Sequence, residues 1–182
     1  MDHTVLSDTD IMRRAAEDVT ALGALYARHA GAVHAFLARR VGNAADDLLG
    51  DVFVAALSSV KTYVPHESES ALPWLYGIAH NLVRNHLRRR TVVPLSEREP
   101  AVDWDEVDAR LDAGAQREQL RAGFAAMSPS DRELILLVAW DGLSVNEASQ
   151  VLGLSSVAGR SRLHRARAKA MEAINGKGGV AL

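Results

Sequence analysis

The chain has 182 residues, of which 48% are hydrophobic and 24% charged, a formal net charge of −2 and no cysteine. This composition is that of one or two folded domains rather than a disordered chain. Without thiols, disulfides, thiolate zinc sites and cysteine nucleophiles are excluded. With only 5% aromatic residues and five prolines among abundant Ala, Leu and Arg, an all-α chain is expected. No secretory apolar region and no run of about 18 apolar residues is present. The expected location is therefore the cytoplasm, with no membrane insertion.

Residues 1–16 carry no clear pattern and are expected to fray. From Asp18 to Arg40, Leu22, Leu25, Tyr26, His29, Val33, Phe36 and Leu37 recur on one helical face, closed by Gly42-Asn43. Ala44 to Tyr63 repeats the pattern with Leu48, Leu49, Val52, Phe53, Ala56 and Leu57, which predicts a second helix packed antiparallel on the first. Val64 to Ser70, with Pro65, reads as a loop. A third helix is predicted over Leu72 to Arg90, burying Leu75, Ile78, Ala79, Leu82 and Val83. Its opposite face is expected to carry His80, Arg84 and Arg88 at four-residue spacing, beside Asn81, Asn85 and Arg89. Trp74 and Tyr76 at its start allow two readings. Exposed aromatics beside arginines would stack unpaired bases while the arginines hold phosphates; otherwise they are ordinary core residues.

Thr91 to Gly114 reads as a linker and places the domain boundary. It contains Pro94 and Pro100, and its acidic residues Glu97, Glu99, Asp103, Asp105, Glu106, Asp108 and Asp112 are answered only by Arg98 and Arg110. The small net charge thus conceals a segregation, with basic clusters at Arg84–Arg90 and Arg160–Lys169 on either side. Ala115 to Met127 begins the second domain. Ser128-Pro129-Ser130 opens a helix, with Ser130-Asp131-Arg132-Glu133 as its expected capping box, and Leu134 to Trp140 is apolar on nearly every side.

Gly142 to Met171 is the most informative stretch. Ser144-Val145-Asn146-Glu147 is a capping box, Gly153 ends that helix, and Ser155 can cap another that carries Arg160, Arg162, Arg165, Arg167 and Lys169. Leu163, Ala166, Ala170 and Ile174 take its core-facing positions, which leaves Arg160, Ser161, His164 and Arg165 on an outward face. A basic run alone equally suits a solvated helix. The order of capped helix, tight turn and basic helix favours a recognition helix in a major groove, with arginines for phosphates or guanine edges.

A catalytic reading fares poorly. His80 and His86, six apart, lie about 240° apart around a helix, and His29 and His34 do little better as joint ligands. Asp46, Asp47 and Asp51 lack a clustered partner for a divalent cation. No catalytic residue, metal or cofactor is expected.

With these residues in view, the chain resembles the extracytoplasmic-function sigma factors of bacterial RNA polymerase, the small two-domain members of the sigma-70 family. Ala45 to Phe53 is similar to the family's polymerase-binding helix, and Trp74 to Arg90 to the helix that reads the minus-ten element. Arg132 to Leu137 and Arg160 to Arg167 resemble the domain that reads the minus-thirty-five element. The resemblance implies a region 2 domain over 17–90, an acidic linker over 91–114 and a region 4 helix-turn-helix domain over 115–175. It implies polymerase contacts at Asp46, Asp47, Leu48, Asp51 and Phe53. It also implies DNA contacts at Trp74, His80, Asn81, Arg84, Asn85 and Arg88, and at Ser155, Ser156, Arg160, Ser161, His164 and Arg165. Val64 to Ser70 matches the family position where a base flipped from the non-template strand is held. RNA polymerase core, promoter DNA and an inhibitory anti-sigma protein are the implied partners.

Four departures stand out. Gly50 and Asp51 replace the usual glutamine and glutamate, Ala148-Ser149 replaces Ile-Ala, and Val157-Ala158-Gly159 replaces Gly-Thr-Val. Gly159 lacks the core-facing side chain expected there and costs about 1 kcal/mol of helix propensity relative to Ala. The alternative reading is a classical helix-turn-helix repressor or activator whose first domain binds a ligand or dimerises. A helical interaction adaptor is a third.

Overall fold

In the computed structural model, residues 6–65, 68–90, 123–125 and 127–176 are described. The chain divides into two compact units, Met1–Arg90 and Thr91–Leu182. Every regular element among the described residues is helical. The acidic segment 91–114 and the expected start of the second domain at Ala115 lie outside the described residues.

The first unit contains α1 (Asp8–Ala15), α2 (Leu22–Val41), α3 (Ala45–Ser59) and α4 (Leu72–Arg90). Helices α2, α3 and α4 each pack on the other two. Leu25, Val33, Phe36 and Leu37 of α2 meet Val52 and Ala56 of α3 and Leu75, Ala79 and Val83 of α4 in a closed core. Fully burying an aliphatic or aromatic side chain of this size contributes about 1.5–3 kcal/mol, so this apolar set dominates the unit's stability. Tyr26, expected on the buried face of α2, is instead 47% exposed. It lies at the edge of the stripe, where its ring meets only the edge of Phe53 on α3, 4.8 Å between centroids, and the rest of it faces solvent.

The expectation of a frayed N-terminus fails at α1. Ser7 caps it by accepting the Asp10 N–H, Asp8 and Asp10 lie in its first turn, and Arg13 and Arg14 in its last. An eight-residue helix is marginal alone. This one is held because Ile11, Met12 and Ala15 are buried against the unit. Three apolar positions in two turns are too few for a periodicity argument to register.

Asp8 adds a polar anchor. Its carboxylate is 4% exposed, pairs with Arg28, lies 2.6 Å from His29 Nε2 and accepts the Ala71 N–H at 2.8 Å. Burial alone would push this carboxyl up. The Ala71 N–H, the His29 contact and charge, and the Arg28 hydrogen bond outweigh it and hold the pKa below the ordinary 3.8. A carboxylate lowered in this way stabilises the fold above its unfolded pKa, and the contribution disappears as pH falls through the lower folded value. Asp8→Asn is therefore expected to cost roughly 1–3 kcal/mol near neutral pH. In urea titrations across pH, that difference should shrink below about pH 3.8. A difference that stays constant down to acid would deny the carboxylate this role.

The second unit contains α5 (Pro129–Ala139), α6 (Val145–Val151) and α7 (Ser156–Gly176), which pack around Leu134, Leu137, Leu143, Ala148, Val151, Leu163 and Ala166. Helix α5 starts earlier than the expected box at Ser130 to Glu133. Ser128 is its cap, accepting the Asp131 N–H, with Pro129 in the first turn, while Glu133 is buried. Proline's fixed φ suits the first helical position, so the cap moves two residues upstream.

The α6 punctuation follows the sequence. Ser144 accepts the Glu147 N–H at 3.2 Å and the Glu147 carboxylate accepts the Ser144 N–H at 2.7 Å. At the far end Gly153 takes φ 68. The Gly153 N–H donates to Gln150 O and the Leu154 N–H to Ser149 O, the paired bonds of a Schellman turn. Ser155 then caps α7 by accepting the Ala158 N–H at 3.2 Å.

Candidate nucleic-acid interface

Helix α7 presents its polar face as expected. Arg160, Ser161, His164 and Arg165 are all exposed, and so is Ser155, while Ser156 is half-buried. Arg165 Nη1 donates to Ser161 Oγ at 2.8 Å, one turn back, which holds the guanidinium against the helix. Arg162 behaves differently. It is half-buried and donates to Ser130 Oγ on α5 at 2.7 Å, so it ties α7 to its own unit instead of facing outward with Arg160 and Arg165.

The seat of α7 depends on one close contact. Gly159 is buried, and a Cβ there would lie 1.8 Å from Ser149 Oγ and 2.9 Å from Ser149 Cβ. Ser149 is fully buried on α6, with its hydroxyl donating to Val145 O at 2.6 Å. The missing side chain at Gly159 is thus the space that Ser149 occupies. The two departures from the family pattern are complementary.

On α4, Asn81, Arg84, Asn85, Arg88 and Arg89 are exposed, and Arg88 donates to Asn85 Oδ1 at 3.0 Å. His80 does not join them. It is 7% exposed and lies on the side of Tyr76, Ala79 and Val83, all buried. Spacing of four residues advances around the helix by about 40°, enough to carry His80 under the neighbouring helix while Arg84 stays in solvent. Tyr76 is also core: it stacks on Phe36 with ring centroids 4.7 Å apart, and Arg40 lies over the same Phe36 ring at 3.5 Å. Trp74 is half-buried, with its ring 5.5 Å from that of Tyr63 in an edge arrangement. Of the two aromatics, only Trp74 keeps an accessible surface of any size.

On α3, Asp46, Asp47 and Asp51 are exposed and Phe53 is half-buried against Tyr26, but Leu48 is 6% exposed and belongs to the core. The apolar surface next to the carboxylates comes from residues that periodicity places inward or does not place at all. Tyr26 is 47%, Val54 62% and Leu57 40% exposed. A signal for Val54 and Leu57 exists in the sequence: α3 carries apolar residues at more positions than one face can bury, so some must point out.

Among the described residues no group of three or more His, Cys, Asp or Glu could hold a metal ion. No helix among them is long and apolar enough to cross a membrane.

Residues 25–92 match the sequence family Sigma-70 region 2, and residues 117–169 match Sigma-70, region 4. Over 152 residues the chain is 34% identical to the RNA polymerase sigma factor CarQ of Myxococcus xanthus, an alignment covering 81% of this chain and 86% of that protein. Over 163 residues it is 36% identical to the RNA polymerase sigma factor CnrH of Cupriavidus metallidurans, covering 82% and 84%. The solved structure of CnrH in complex with the cytosolic domain of CnrY superposes with a TM-score of 0.62 at 29% identity, covering 94% of this chain and 99% of that one.

Proposed function

This chain belongs to the sigma-70 family of bacterial RNA polymerase sigma factors, in its extracytoplasmic-function group, and from that premise we propose how its residues direct the polymerase. It brings core polymerase to specific promoters and aids their melting. In our reading the first domain, 17–90, carries both the polymerase contact and the minus-ten contact. Residues 91–114 link it to a second domain, 115–175, that reads the minus-thirty-five element.

The observation that carries this reading is the pair of outward basic faces, one on each unit, in the order the family uses them. On α7, Ser155, Ser156, Arg160, Ser161, His164 and Arg165 would meet duplex DNA, with arginines donating to guanine edges or phosphates. On α4, Asn81, Arg84, Asn85 and Arg88 would hold the melted strand, with Trp74 offering a ring for stacking. On α3, Asp46, Asp47, Asp51 and Phe53, joined by the exposed Tyr26, Val54 and Leu57, would dock on the polymerase. His80 and Leu48 support these faces from the core side. The chain acts by recruitment, with no covalent step of its own, and works in the cytoplasm where the polymerase is.

The same apolar patch suits an inhibitor. By family resemblance an anti-sigma protein would mask it, and the CnrH structure, which includes the cytosolic domain of CnrY, supports a partner of that kind.

Transcription in vitro with purified core polymerase tests the proposal. Promoter-specific transcripts that depend on this chain are expected. Binding to a symmetric operator without affinity for core polymerase would overturn it in favour of a classical repressor.

Within α7, Arg160→Ala or Arg165→Ala is expected to weaken binding to the upstream element by about 1–3 kcal/mol if the arginine reads a base. A loss equal on every sequence, with the salt slope smaller by about one, would assign that arginine to a phosphate. No change in either measurement would remove the residue from the interface.

A further inference from the structure

Asp8 holds the start of α4 from another helix. Helix α1 lies outside residues 25–92 that match the region 2 family, yet one oxygen of the Asp8 carboxylate faces three groups. The Ala71 N–H donates to it at 2.8 Å, His29 Nε2 lies 2.6 Å away and Ser70 Oγ lies at 3.5 Å. The other oxygen takes Arg28, whose guanidinium also donates to Leu6 O at 2.8 Å. The first N–H groups of a helix have no partner within it, and its dipole favours negative charge there. Asp8 supplies both the acceptor and the charge. Ser70 completes the cap by accepting the Leu72 N–H at 3.2 Å.

Just before this cap, Glu69 has φ 53. A non-glycine residue holds the left-handed region only where its surroundings over-determine it, often at functional sites. The fixed Ser70–Ala71 step provides such surroundings. At the other end of the connection from α3, Tyr63 is set against Trp74 at 5.5 Å. Tyr63 and the Ser70–Ala71 step are therefore each held, the first by an aromatic pair and the second by a buried carboxylate.

We propose that Asp8 is a positioning residue for promoter melting: through Ser70 and Ala71 it sets the Glu69–Ala71 segment and the first turn of α4, and so places Trp74 for the unstacked base. The inference rests on the sigma-factor reading above. Asp8 itself touches neither DNA nor polymerase. Its effect belongs to the opening step, and the exposed α3 surface that would dock on core polymerase is left intact.

The test uses the full chain with core polymerase on a promoter mapped from transcript starts after overexpression. With Asp8→Asn, permanganate reactivity of the minus-ten thymines on duplex promoter is expected to fall about tenfold, while affinity for core polymerase stays within about twofold. A template premelted over the minus-ten region should bring transcription back to near the wild-type level. Ser70→Ala, a half-buried change that leaves Asp8 paired with Arg28 and His29 and removes only the Leu72 cap and the long contact to Asp8, should show a smaller opening defect in the same direction and a smaller drop in unfolding temperature than Asp8→Asn.

Two results would overturn the proposal. One is wild-type opening by both variants. The other is an Asp8→Asn chain that loses core binding together with activity on premelted and duplex templates, since that marks a merely structural residue. A wild-type chain that opens no promoter with core polymerase overturns the sigma-factor reading beneath it instead.

Discussion

Gly159→Ala is expected to destabilise the second unit by about 1–3 kcal/mol, the usual cost of overpacking a closed interior. In a solvated helix the same change would stabilise by about 1 kcal/mol, because Ala is the better helix former. Geometry decides the sign. The added Cβ would sit 1.8 Å from Ser149 Oγ and 2.9 Å from Ser149 Cβ. The serine cannot simply turn away, since it is fully buried and its hydroxyl is bonded to Val145 O at 2.6 Å. Either α7 shifts off α6 or the Ser149 bond breaks. A shift would also displace Arg160, the next residue on the face proposed to meet DNA, so recognition of the upstream element should fall together with stability.

Compensation identifies the cause. Ser149→Ala removes the nearer atom and leaves the 2.9 Å contact, so it should rescue Gly159→Ala in part. Ser149→Gly removes both atoms and should rescue the clash fully, less its own helix penalty of about 1 kcal/mol. Urea unfolding of the four chains of that cycle measures the coupling directly. A neutral or stabilising Gly159→Ala, or additive double variants, would show that the two helices are not in the tight contact described.

The second large effect concerns the division of labour within the first unit. Asn81→Ala or Arg84→Ala is expected to reduce open-complex formation about tenfold or more, the size of one lost charge-assisted hydrogen bond to the strand. Core binding should be nearly unchanged, because both side chains lie on the exposed face of α4 and the proposed polymerase contacts lie on α3. Asp47→Ala or Asp51→Ala should do the reverse. Permanganate footprinting reads the first step and titration of core polymerase the second. If both classes fail equally at core binding, and a premelted promoter rescues neither, the assignment of opening to α4 and docking to α3 is wrong. His80→Ala, in contrast, should act through stability, since His80 is buried beside Ala79 and Val83.

What could be read from the sequence alone was whatever is written in local chemistry. The all-α class follows from composition. The α6–turn–α7 unit follows from Ser144 and Glu147, Gly153 and Ser155, because a cap or a left-handed glycine satisfies backbone groups within a few residues and needs no distant partner. The outward set Arg160, Ser161, His164 and Arg165 follows from helical period on a helix whose apolar stripe is unambiguous. Tertiary structure decided the residues at the borders of each stripe, and those whose partners lie far along the chain. Period places His80 next to Arg84 and Leu48 next to Asp47, but only the reach of the neighbouring helix determines that His80 and Leu48 are covered while Tyr26 and Leu57 are not. The bond from Asp8 to Ala71 spans 63 residues, and the space left by the missing side chain at Gly159 is filled by Ser149 of α6. Both depend on two segments meeting in space, a relation that periodicity within one segment does not encode.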